Sequence, residues 1–468
     1  MKYGILTSKD IQASMRIDGS FHLSDGVALE RLISKRPHKL LFEFCDNIFT
    51  AGRRKRTYTK KEFGYPYLSN SDVISQNPFN SCKYNSRKYG HDESAFLKEG
   101  MILTGRVGAI GQTAYVTREF EDKETMGSDN IIRILAKQSE LSGYIYAFLV
   151  SKMGNTLLWK LAAGGVQPYI TDQMVANIPV PIFPEPKQQE IHNLIVESAN
   201  LRVEANRLLE EAKSKLLVYA NLPQLTIEDY DYFGARANGR NVSYFSKNIK
   251  AIDSTTINAF NHSIRIETTK RLVIDACETV PLEKMLDDKK LFSTGSFPRV
   301  EVKPENGIML INQKDIFDTI VRGKRISRRK VKLDNLVEYG EVLIAGVGTL
   351  GENETFCRSI FANEDLKGQL VSGEFIRMKT KDRNLSGYLF AWLSSDYGFR
   401  LIRNTQTGTK LCRPILRLLL QIPVPVLDLI QMKEIDDMIK KAHSFYYKSN
   451  SKENQAIQLV EKEIESWQ

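Results

Sequence analysis

Short apolar runs separated by turn-forming residues occupy two long stretches of the chain, and this pattern predicts strands. In the first stretch the runs read YPYLS (65–69), MILTG (101–105) and NIIRIL (130–135). Gly, Asn and Asp bound these runs, and such boundaries are typical of strands joined by turns. The pattern therefore predicts a sheet in each stretch.

Each strand-rich stretch is followed by the same order of further elements. A helix is predicted to begin near Ser142 in the first stretch and near Ser386 in the second, because serine is a good N-cap. A Gly-containing loop comes next, LAAGGVQPY (161–169) or QTGTKLCRP (406–414). An IPVP strand then closes each stretch, and a long helix follows it.

The two long helices are predicted from about 186 to 217 and from about 430 to 467. Apolar and small residues recur along them at spacings of three and four, as in a heptad seam: Ile191, Leu194, Ser198, Leu201, Ala205, Leu208 and Ala212, then Ile435, Met438, Ala442, Phe445, Ala456 and Leu459. Each seam could pack on its own domain, or the two seams could pack on each other. The chain also contains an internal repeat, and two equivalent helices need equivalent places to bury similar stripes, which favours the second arrangement.

The chain is an internal repeat. Residues 142–154 and 386–398 share seven of thirteen residues at an offset of 244. Four further pairs of segments follow in the same order at similar offsets: SMRID (14–18) with SIRIE (263–267), GYPYLSNSDV (64–73) with GIMLINQKDI (307–316), EGMILTGRVGAIG (99–111) with YGEVLIAGVGTLG (339–351), and IPVP (178–181) with IPVP (422–425). We infer a duplication of about 200–245 residues and an α+β fold with two strand-rich domains.

Composition places the chain among globular proteins with two or three domains. Of its 468 residues, 42% are hydrophobic and 26% are charged, which excludes wholesale disorder. The net charge of +10 permits a polyanionic partner without requiring one. The five cysteines form no CxxC pair, the start of the chain is charged, and the apolar runs are short. These features predict a reduced, cytoplasmic protein without a signal peptide or membrane span.

Motifs that would carry catalysis are weak or absent. The sequence has no GxxxxGK[ST] phosphate loop and no HExxH, and its histidines are scattered singly. Gly105, Gly108 and Gly111 could form a nucleotide loop, but a tight turn between strands explains them better. Asn77-Pro78-Phe79 lacks the second proline of the adenine methyltransferase tetrapeptide and is interpreted as a turn. We predict no catalytic residue and no metal ligand on this chain.

Basic residues cluster once in each repeat. The first cluster contains Arg53, Arg54, Lys55, Arg56, Lys60 and Lys61, interleaved with or followed by Tyr58, Phe63, Tyr65 and Tyr67. The second contains Arg322, Lys324, Arg325, Arg328, Arg329, Lys330 and Lys332. Ser86-Arg87-Lys88 aligns with Ser327-Arg328-Arg329. One such cluster could be an ordinary solvated face, but two in equivalent places favour nucleic acid, because cations neutralise phosphates and arginine can read guanine.

The doubled order of these elements resembles the specificity (S) subunit of type I restriction–modification systems. In that family a proline-rich run is followed by Glu-Gln and an Ile at the head of a long helix. The first repeat nearly matches this with Gln188-Gln189-Glu190-Ile191, while the second departs further with Gln431-Met432-Lys433-Glu434-Ile435. The resemblance covers nearly the whole chain.

The resemblance implies a function and a set of partners. Each globular domain would be a target-recognition domain for one half of a split site in double-stranded DNA. The two long helices would form an antiparallel coiled coil that sets the spacing of the halves. Two DNA methyltransferase (M) subunits and restriction/translocase (R) subunits would be the partners. S-adenosylmethionine, ATP and Mg²⁺ would bind to those partners, with no cofactor on this chain. The alternative is a stand-alone bipartite DNA-binding regulator.

This interpretation divides the chain into two recognition domains, 1–183 and 221–427, and two spacer helices, 184–220 and 428–468. The charge clusters and the loops before IPVP supply the candidate DNA-binding residues: Arg53, Arg54, Lys55, Arg56, Lys60, Arg87, Gln167, Tyr169, Arg322, Lys324, Arg325, Arg328, Arg329, Lys410 and Arg413. For the loop residues the alternative is a turn internal to the domain.

Overall fold

The computed structural model describes residues 5–80, 82–226, 246–252 and 256–467. The chain divides into two units. The first unit consists of Met1–Val203 and Lys448–Gln468, and the second unit is Glu204–Tyr447. Each unit thus contains one strand-rich domain and part of both long helices.

The first unit is built from two four-stranded sheets with helices packed on one of them. Its helices are Ser8–Ser14, Gly19–His22, Asp25–Ser34, Asn70–Val73, Arg118–Asp122, Ser139–Val150, Lys152–Leu161 and Asp172–Ala176. Its strands are His38–Leu40, Cys45–Thr50, Tyr58–Thr59, Gly64–Leu68, Lys83–Ser86, Ile102–Gly105, Thr113–Tyr115, Met126–Gly127, Ile131–Ala136 and Pro179–Pro181.

The first sheet of this unit is antiparallel, in the order Cys45–Thr50, Ile131–Ala136, Ile102–Gly105, Thr113–Tyr115. The second sheet, here called the tyrosine sheet, has the order Tyr58–Thr59, Lys83–Ser86, Gly64–Leu68, Met126–Gly127, with the last pair parallel. The predicted strands YPYLS, MILTG and NIIRIL all lie in these two sheets.

The second unit repeats the plan. Its helices are Ile264–Ala276, Leu282–Met285, Ser386–Ser394, Asp396–Arg403 and Leu416–Leu419. Its strands are Thr279–Pro281, Leu286–Phe292, Gly307–Ile311, Lys324–Ser327, Val342–Ala345, Ser359–Phe361, Leu370–Val371, Phe375–Thr380, Gln406–Thr407, Arg413–Pro414 and Pro423–Pro425. In both units the IPVP strand pairs antiparallel with a short strand early in the unit. The predicted α+β fold with two repeated strand-rich domains is confirmed.

Two details of the repeat were predicted wrongly. SIRIE (263–267) leads into helix Ile264–Ala276, whereas SMRID (14–18) follows a helix that ends at Ser14, and Met15 has a left-handed φ of 53°. Helix Asp25–Ser34 is the true counterpart, because it also precedes the strand that pairs with IPVP. The tight turn predicted around Gly348 is a longer loop, residues 346–358, whereas the first copy is the shorter loop 106–112.

The predicted N-caps Ser142 and Ser386 are also wrong. The first helix begins at Ser139, and Ser386 is already helical in the second. The long helices supply acceptors instead: the Gly143 N–H donates to His192 Nδ1 (3.2 Å), and the Gly387 N–H donates to Asp436 Oδ1 (2.6 Å). Glycine allows this close approach, since a Cβ on Gly387 would lie 2.7 Å from the Asp436 carbonyl oxygen.

The long helices run from Glu185 to Tyr219 and from Leu429 to Glu465. In the first unit Lys187 bonds Glu463, and Arg202 bonds Glu453 at 2.9 Å. In the second unit Lys215 bonds Glu434. Partner numbers fall on one helix as they rise on the other, so the predicted antiparallel coiled coil is confirmed.

The long helices pack on each other and also on the domains, so both arrangements considered for the seams are present. The predicted residues Ile191, Ser198, Ala205, Ile435 and Ala442 are buried. A second stripe is buried as well: Ile195, Leu209, Leu216, Ile439, Tyr446, Val460 and Ile464. These residues belong to the cores that also contain the helices after the sheets. Within each unit the two long helices therefore pack on each other and on the helices that follow the sheets. This second contact widens the buried face beyond a heptad seam.

One arginine is fully buried at the same place in each unit. Arg133 donates to the carbonyls of Gly127 (2.5 Å), Ile131 (2.9 Å) and Ala95 (3.1 Å), and burial lowers its pKa to about 10. Arg377 instead forms a two-pronged bond with the buried Glu341 at 2.8 and 2.9 Å. These guanidinium groups tie strands to neighbouring loops and hold the sheets in place.

None of the helices described here combines the length and the apolarity that crossing a lipid bilayer requires.

Candidate nucleic-acid interface

Residues 53–56 of the first basic cluster lie on an exposed segment between strand Cys45–Thr50 and strand Tyr58–Thr59, and Lys60 and Lys61 directly follow the second strand. Arg53 lies 3.8 Å from Asp129, and Arg54 lies 3.3 Å from Asp92. Lys55 and Lys60 are exposed. The cluster is therefore a cationic surface that contains two internal acidic groups, and its field is weaker than the residue count suggests.

Arg56 and Arg87 each have both a carboxylate partner and a tyrosine ring next to the guanidinium. Arg56 bonds Asp129 at 2.5 Å, and its guanidinium lies 5.6 Å from the centre of the Tyr67 ring. Arg87 bonds Glu124 at 2.7 Å and lies 4.3 Å from the centre of the Tyr65 ring. The Glu124 bond raises the pKa of Arg87 above its usual value, so this arginine stays fully charged.

The predicted loop before IPVP contacts the glycine loop of the first sheet. Tyr169 forms backbone bridges with Val107 and Ala163, and the Gly108 N–H donates to the Pro168 carbonyl at 3.1 Å. Gln167 and the Tyr169 ring remain exposed. The backbone of this loop thus forms a turn internal to the domain, which was the alternative to DNA binding. The Gln167 and Tyr169 side chains nevertheless face solvent.

The second unit contains the same pair of loops. The Gly348 N–H donates to the Cys412 carbonyl at 3.2 Å, which repeats the contact of Gly108. Lys410 lies at the tip of the loop, and Arg413 lies on its closing strand Arg413–Pro414. Both side chains are exposed.

The second basic cluster surrounds strand Lys324–Ser327. Lys324 bonds Glu301 at 2.5 Å, and Arg325 is half-buried. Arg322, Arg328 and Arg329 are exposed. This cluster has no tyrosine on the adjacent strand, whose sequence is GIMLI (307–311).

The functional candidates that sequence reasoning missed are carboxylates. Asp129 bonds Arg56 and Glu124 bonds Arg87, yet each carboxylate lies more than thirty residues away from its arginine in the sequence. No local motif links such pairs. The buried Arg133 and Arg377 did carry a signal, because they occupy equivalent positions in aligned strands.

The weaker motifs have structural explanations. Asn77 Oδ1 accepts from the Phe79 N–H at 3.2 Å, so the predicted turn is present at Asn77-Pro78-Phe79. Within the described ranges, no group of three or more His, Cys, Asp or Glu side chains is arranged to hold a metal ion.

One family model matches part of this chain. Residues 43–206 match the family model described as the type I restriction modification DNA specificity domain. This segment contains both sheets and the basic cluster of the first unit. The comparison thus places a domain of this kind in the first part of the chain, and the second unit repeats the same order of elements.

Three solved structures are similar over most of the chain. The S subunit of a type I restriction–modification system from M. genitalium aligns with a TM-score of 0.29 and 12% identity, over 92% of this chain and 92% of that chain. The HsdS subunit from Thermoanaerobacter tengcongensis gives 0.27 and 14%, over 91% and 95%. A chain from work on complex assembly and conformational transition of the type I R-M system gives 0.28 and 15%, over 91% and 97%. No curated protein matches this chain.

Proposed function

We propose that this chain recognises a bipartite target in double-stranded DNA, with each unit reading one half-site. The observation that carries the proposal is the repeated loop pair, Gly108 with Pro168 and Gly348 with Cys412, which has exposed polar or cationic side chains in both units. Two loop pairs with equivalent backbones and different exposed side chains are suited to recognising different DNA sequences with one fold.

In this proposal the basic residues have two roles. The exposed cations and the half-buried Arg325 contact phosphates and supply affinity that depends on salt. The exposed cations are Arg53, Arg54, Lys55, Lys60, Arg322, Lys324, Arg328 and Arg329. Gln167, Tyr169, Lys410 and Arg413 reach the bases or the groove edge from the loop pairs. Arg56 and Arg87 differ from these cations, because their neighbours fix their orientation.

The chain acts by binding and directs partner subunits that carry the chemistry. DNA methyltransferase subunits, two per chain, would hold S-adenosylmethionine, and restriction subunits would use ATP and Mg²⁺. The duplication supports two methyltransferases, since two equivalent units offer two equivalent surfaces. The purified chain should therefore neither methylate nor cleave DNA.

The test compares the chain alone with the chain bound to its methyltransferase partner. Methyl transfer is measured on plasmid DNA with S-adenosylmethionine, and the methylated positions are mapped by single-molecule sequencing. A split methylated motif that requires both proteins supports the proposal. Methyl transfer or cleavage by the chain alone would overturn the non-catalytic role, and a continuous motif would overturn the bipartite one.

A further inference from the structure

One face of the tyrosine sheet has three cations placed over three tyrosine rings. Tyr65 and Tyr67 alternate along strand Gly64–Leu68, and Lys83 pairs directly with Tyr67 on the neighbouring strand. Residues two apart on a strand, and residues directly opposite on paired strands, share one face of a sheet. The Lys83 ammonium lies 5.0 Å from the centre of the Tyr58 ring.

The two arginines on this face are held from two sides. Arg87 lies over Tyr65 and bonds Glu124, while Arg56 lies over Tyr67 and bonds Asp129. Stacking on a ring and an ion pair together fix a guanidinium that would otherwise lose about 2 kcal/mol of rotamer entropy on binding. These two side chains are therefore pre-organised, unlike the exposed Lys55.

Both carboxylates are positioned by one short strand. Glu124 and Asp129 flank strand Met126–Gly127, which pairs parallel with the tyrosine strand. Glu124 has a left-handed φ of 49°, which is uncommon for a residue other than glycine. The backbone thus adopts a strained conformation at the residue that orients Arg87.

The ion pairs leave donors free for a ligand. Asp129 contacts one terminal nitrogen of Arg56, and Glu124 contacts one terminal nitrogen of Arg87. A guanidinium has five N–H donors, so each arginine has more donors than its carboxylate partner occupies. The Arg56 and Arg87 side chains are 40% and 45% exposed, which leaves these donors accessible to a ligand at the surface.

The spacing of the two tyrosines beneath the arginines corresponds to bases about two steps apart. Tyr65 and Tyr67 are two residues apart, which corresponds to about 7 Å along a strand. Base pairs are stacked about 3.4 Å apart, so the two rings are separated by about two base-pair steps. Guanine is the base that offers two acceptors, O6 and N7, to an arginine in the major groove.

We propose that Arg56 and Arg87 read guanines in the half-site of the first unit, with Tyr67, Tyr65, Asp129 and Glu124 as positioning residues. This inference rests on the proposed bipartite recognition and specifies which bases one half contains. It also predicts that the two half-sites differ in the way they are read.

The second unit supplies an internal comparison. Its strand Gly307–Ile311 pairs with Lys324–Ser327 in the same register as the tyrosine sheet, and Ile308 and Leu310 occupy the places of Tyr65 and Tyr67. Aliphatic side chains cannot stack a guanidinium on a ring face. The second unit therefore has no counterpart of the Arg56 and Arg87 arrangement on its strand Gly307–Ile311.

The experiment selects bound sequences from a randomised duplex DNA library. The full chain with its methyltransferase partner is compared with the variants Arg56→Lys and Arg87→Lys. These variants keep the positive charge and lose the planar guanidinium that can donate two parallel hydrogen bonds. We expect each variant to lose preference for one guanine in one half-site by roughly 5- to 150-fold, with the other half-site unchanged. Lys55→Ala is the matched control and should weaken binding equally for all sequences.

A second measurement leaves the protein unaltered. Replacing each selected guanine with 7-deazaguanine removes the N7 acceptor. Wild-type binding should weaken at those positions, while the affinity of the matching lysine variant should not change. Asp129→Asn should lower the same preference as Arg56→Lys, whereas a merely structural role would lower stability without changing the selected sequence.

The outcomes separate this inference from the proposed function. If the wild type enriches a split motif but both lysine variants enrich the same motif, and 7-deazaguanine has no effect, the guanine reading is wrong and bipartite recognition stands. If the wild type with its partner enriches no split motif, the proposed function is wrong, and this inference is overturned with it.

Discussion

Replacing His443 with leucine should remove an acid-sensitive contribution to the stability of the second unit. His443 lies on the second long helix and is only 6% exposed. The rings of Phe361, Phe390 and Tyr446 surround it at centroid distances of 4.8, 5.2 and 5.6 Å. Its Nε2 atom has no hydrogen-bond partner among the described residues. This site holds a neutral imidazole and penalises a charged one.

The size and sign of the effect follow from the pKa. Burial lowers the pKa of His443 from 6.5 to about 3. Below pH 6.5 the unfolded chain binds a proton that the folded chain does not, so the free energy of unfolding falls with falling pH. With each pKa unit worth about 1.4 kcal/mol, the loss between pH 7 and pH 5 is about 2 kcal/mol. It continues until the pH reaches the folded pKa.

The assay follows unfolding of the second unit alone. The chain has three tryptophans, and Trp392 is fully buried in the second unit. Replacing Trp159 and Trp467 with phenylalanine leaves Trp392 as the single fluorescent reporter. Urea midpoints at pH 7, 6 and 5 then give the stability of His443→Leu relative to the parent. Other titrating groups affect both proteins equally and cancel in this difference.

The leucine variant should gain about 2 kcal/mol over the parent when the pH is lowered from 7 to 5. His38→Gln is the control, because His38 lies near the surface of the first unit and should not change the pH profile of the second. A parallel pH dependence in the parent and in His443→Leu would show that the imidazole is solvated or partnered, and would refute the reasoning.

Three further predictions test other features. Glu341→Gln leaves the buried Arg377 without its carboxylate and should cost about 3 kcal/mol in urea unfolding. Glu338→Gln, at a carboxylate that is 55% exposed, should cost less, about 1 kcal/mol, and equal losses would contradict this. Gly387→Ala should lose about 1–3 kcal/mol, because its methyl group meets the long helix; an unchanged midpoint would disprove the close approach. Lys55→Ala with Lys60→Ala should reduce the log–log salt slope of DNA binding by up to about 2, and an unchanged slope would show that neither lysine contacts phosphate.

The repeat made most of the fold predictable, because each element could be tested twice. A single short apolar run such as YPYLS does not by itself establish a strand. It becomes good evidence when a run with different residues occurs at the same place in the second copy of the repeat. The loop 346–358 shows the limit of this reasoning. A repeat predicts equivalent ends for two strands, but it cannot predict how much chain connects them.

The candidate site was only half predictable for a physical reason. Basic residues are visible as a run in the sequence, but their counter-charges are not. Asp129 reaches Arg56 because strand Met126–Gly127 pairs with the tyrosine strand, and this contact spans 73 residues. Similarly, the N-terminal cap of helix Ser386–Ser394 comes from the long helix and not from the adjacent serine. Local rules fail where tertiary contacts supply the partner.

The first unit is assembled from segments that are far apart in the order of synthesis. Ala456, Val460 and Ile464 belong to its hydrophobic core, yet the ribosome makes them after the whole second unit. At about 5–20 residues per second, the face that they cover stays open for at least ten seconds while the intervening segment is translated. The nascent first unit is therefore an aggregation-prone intermediate, and the second unit, made from one continuous segment, can finish folding before it.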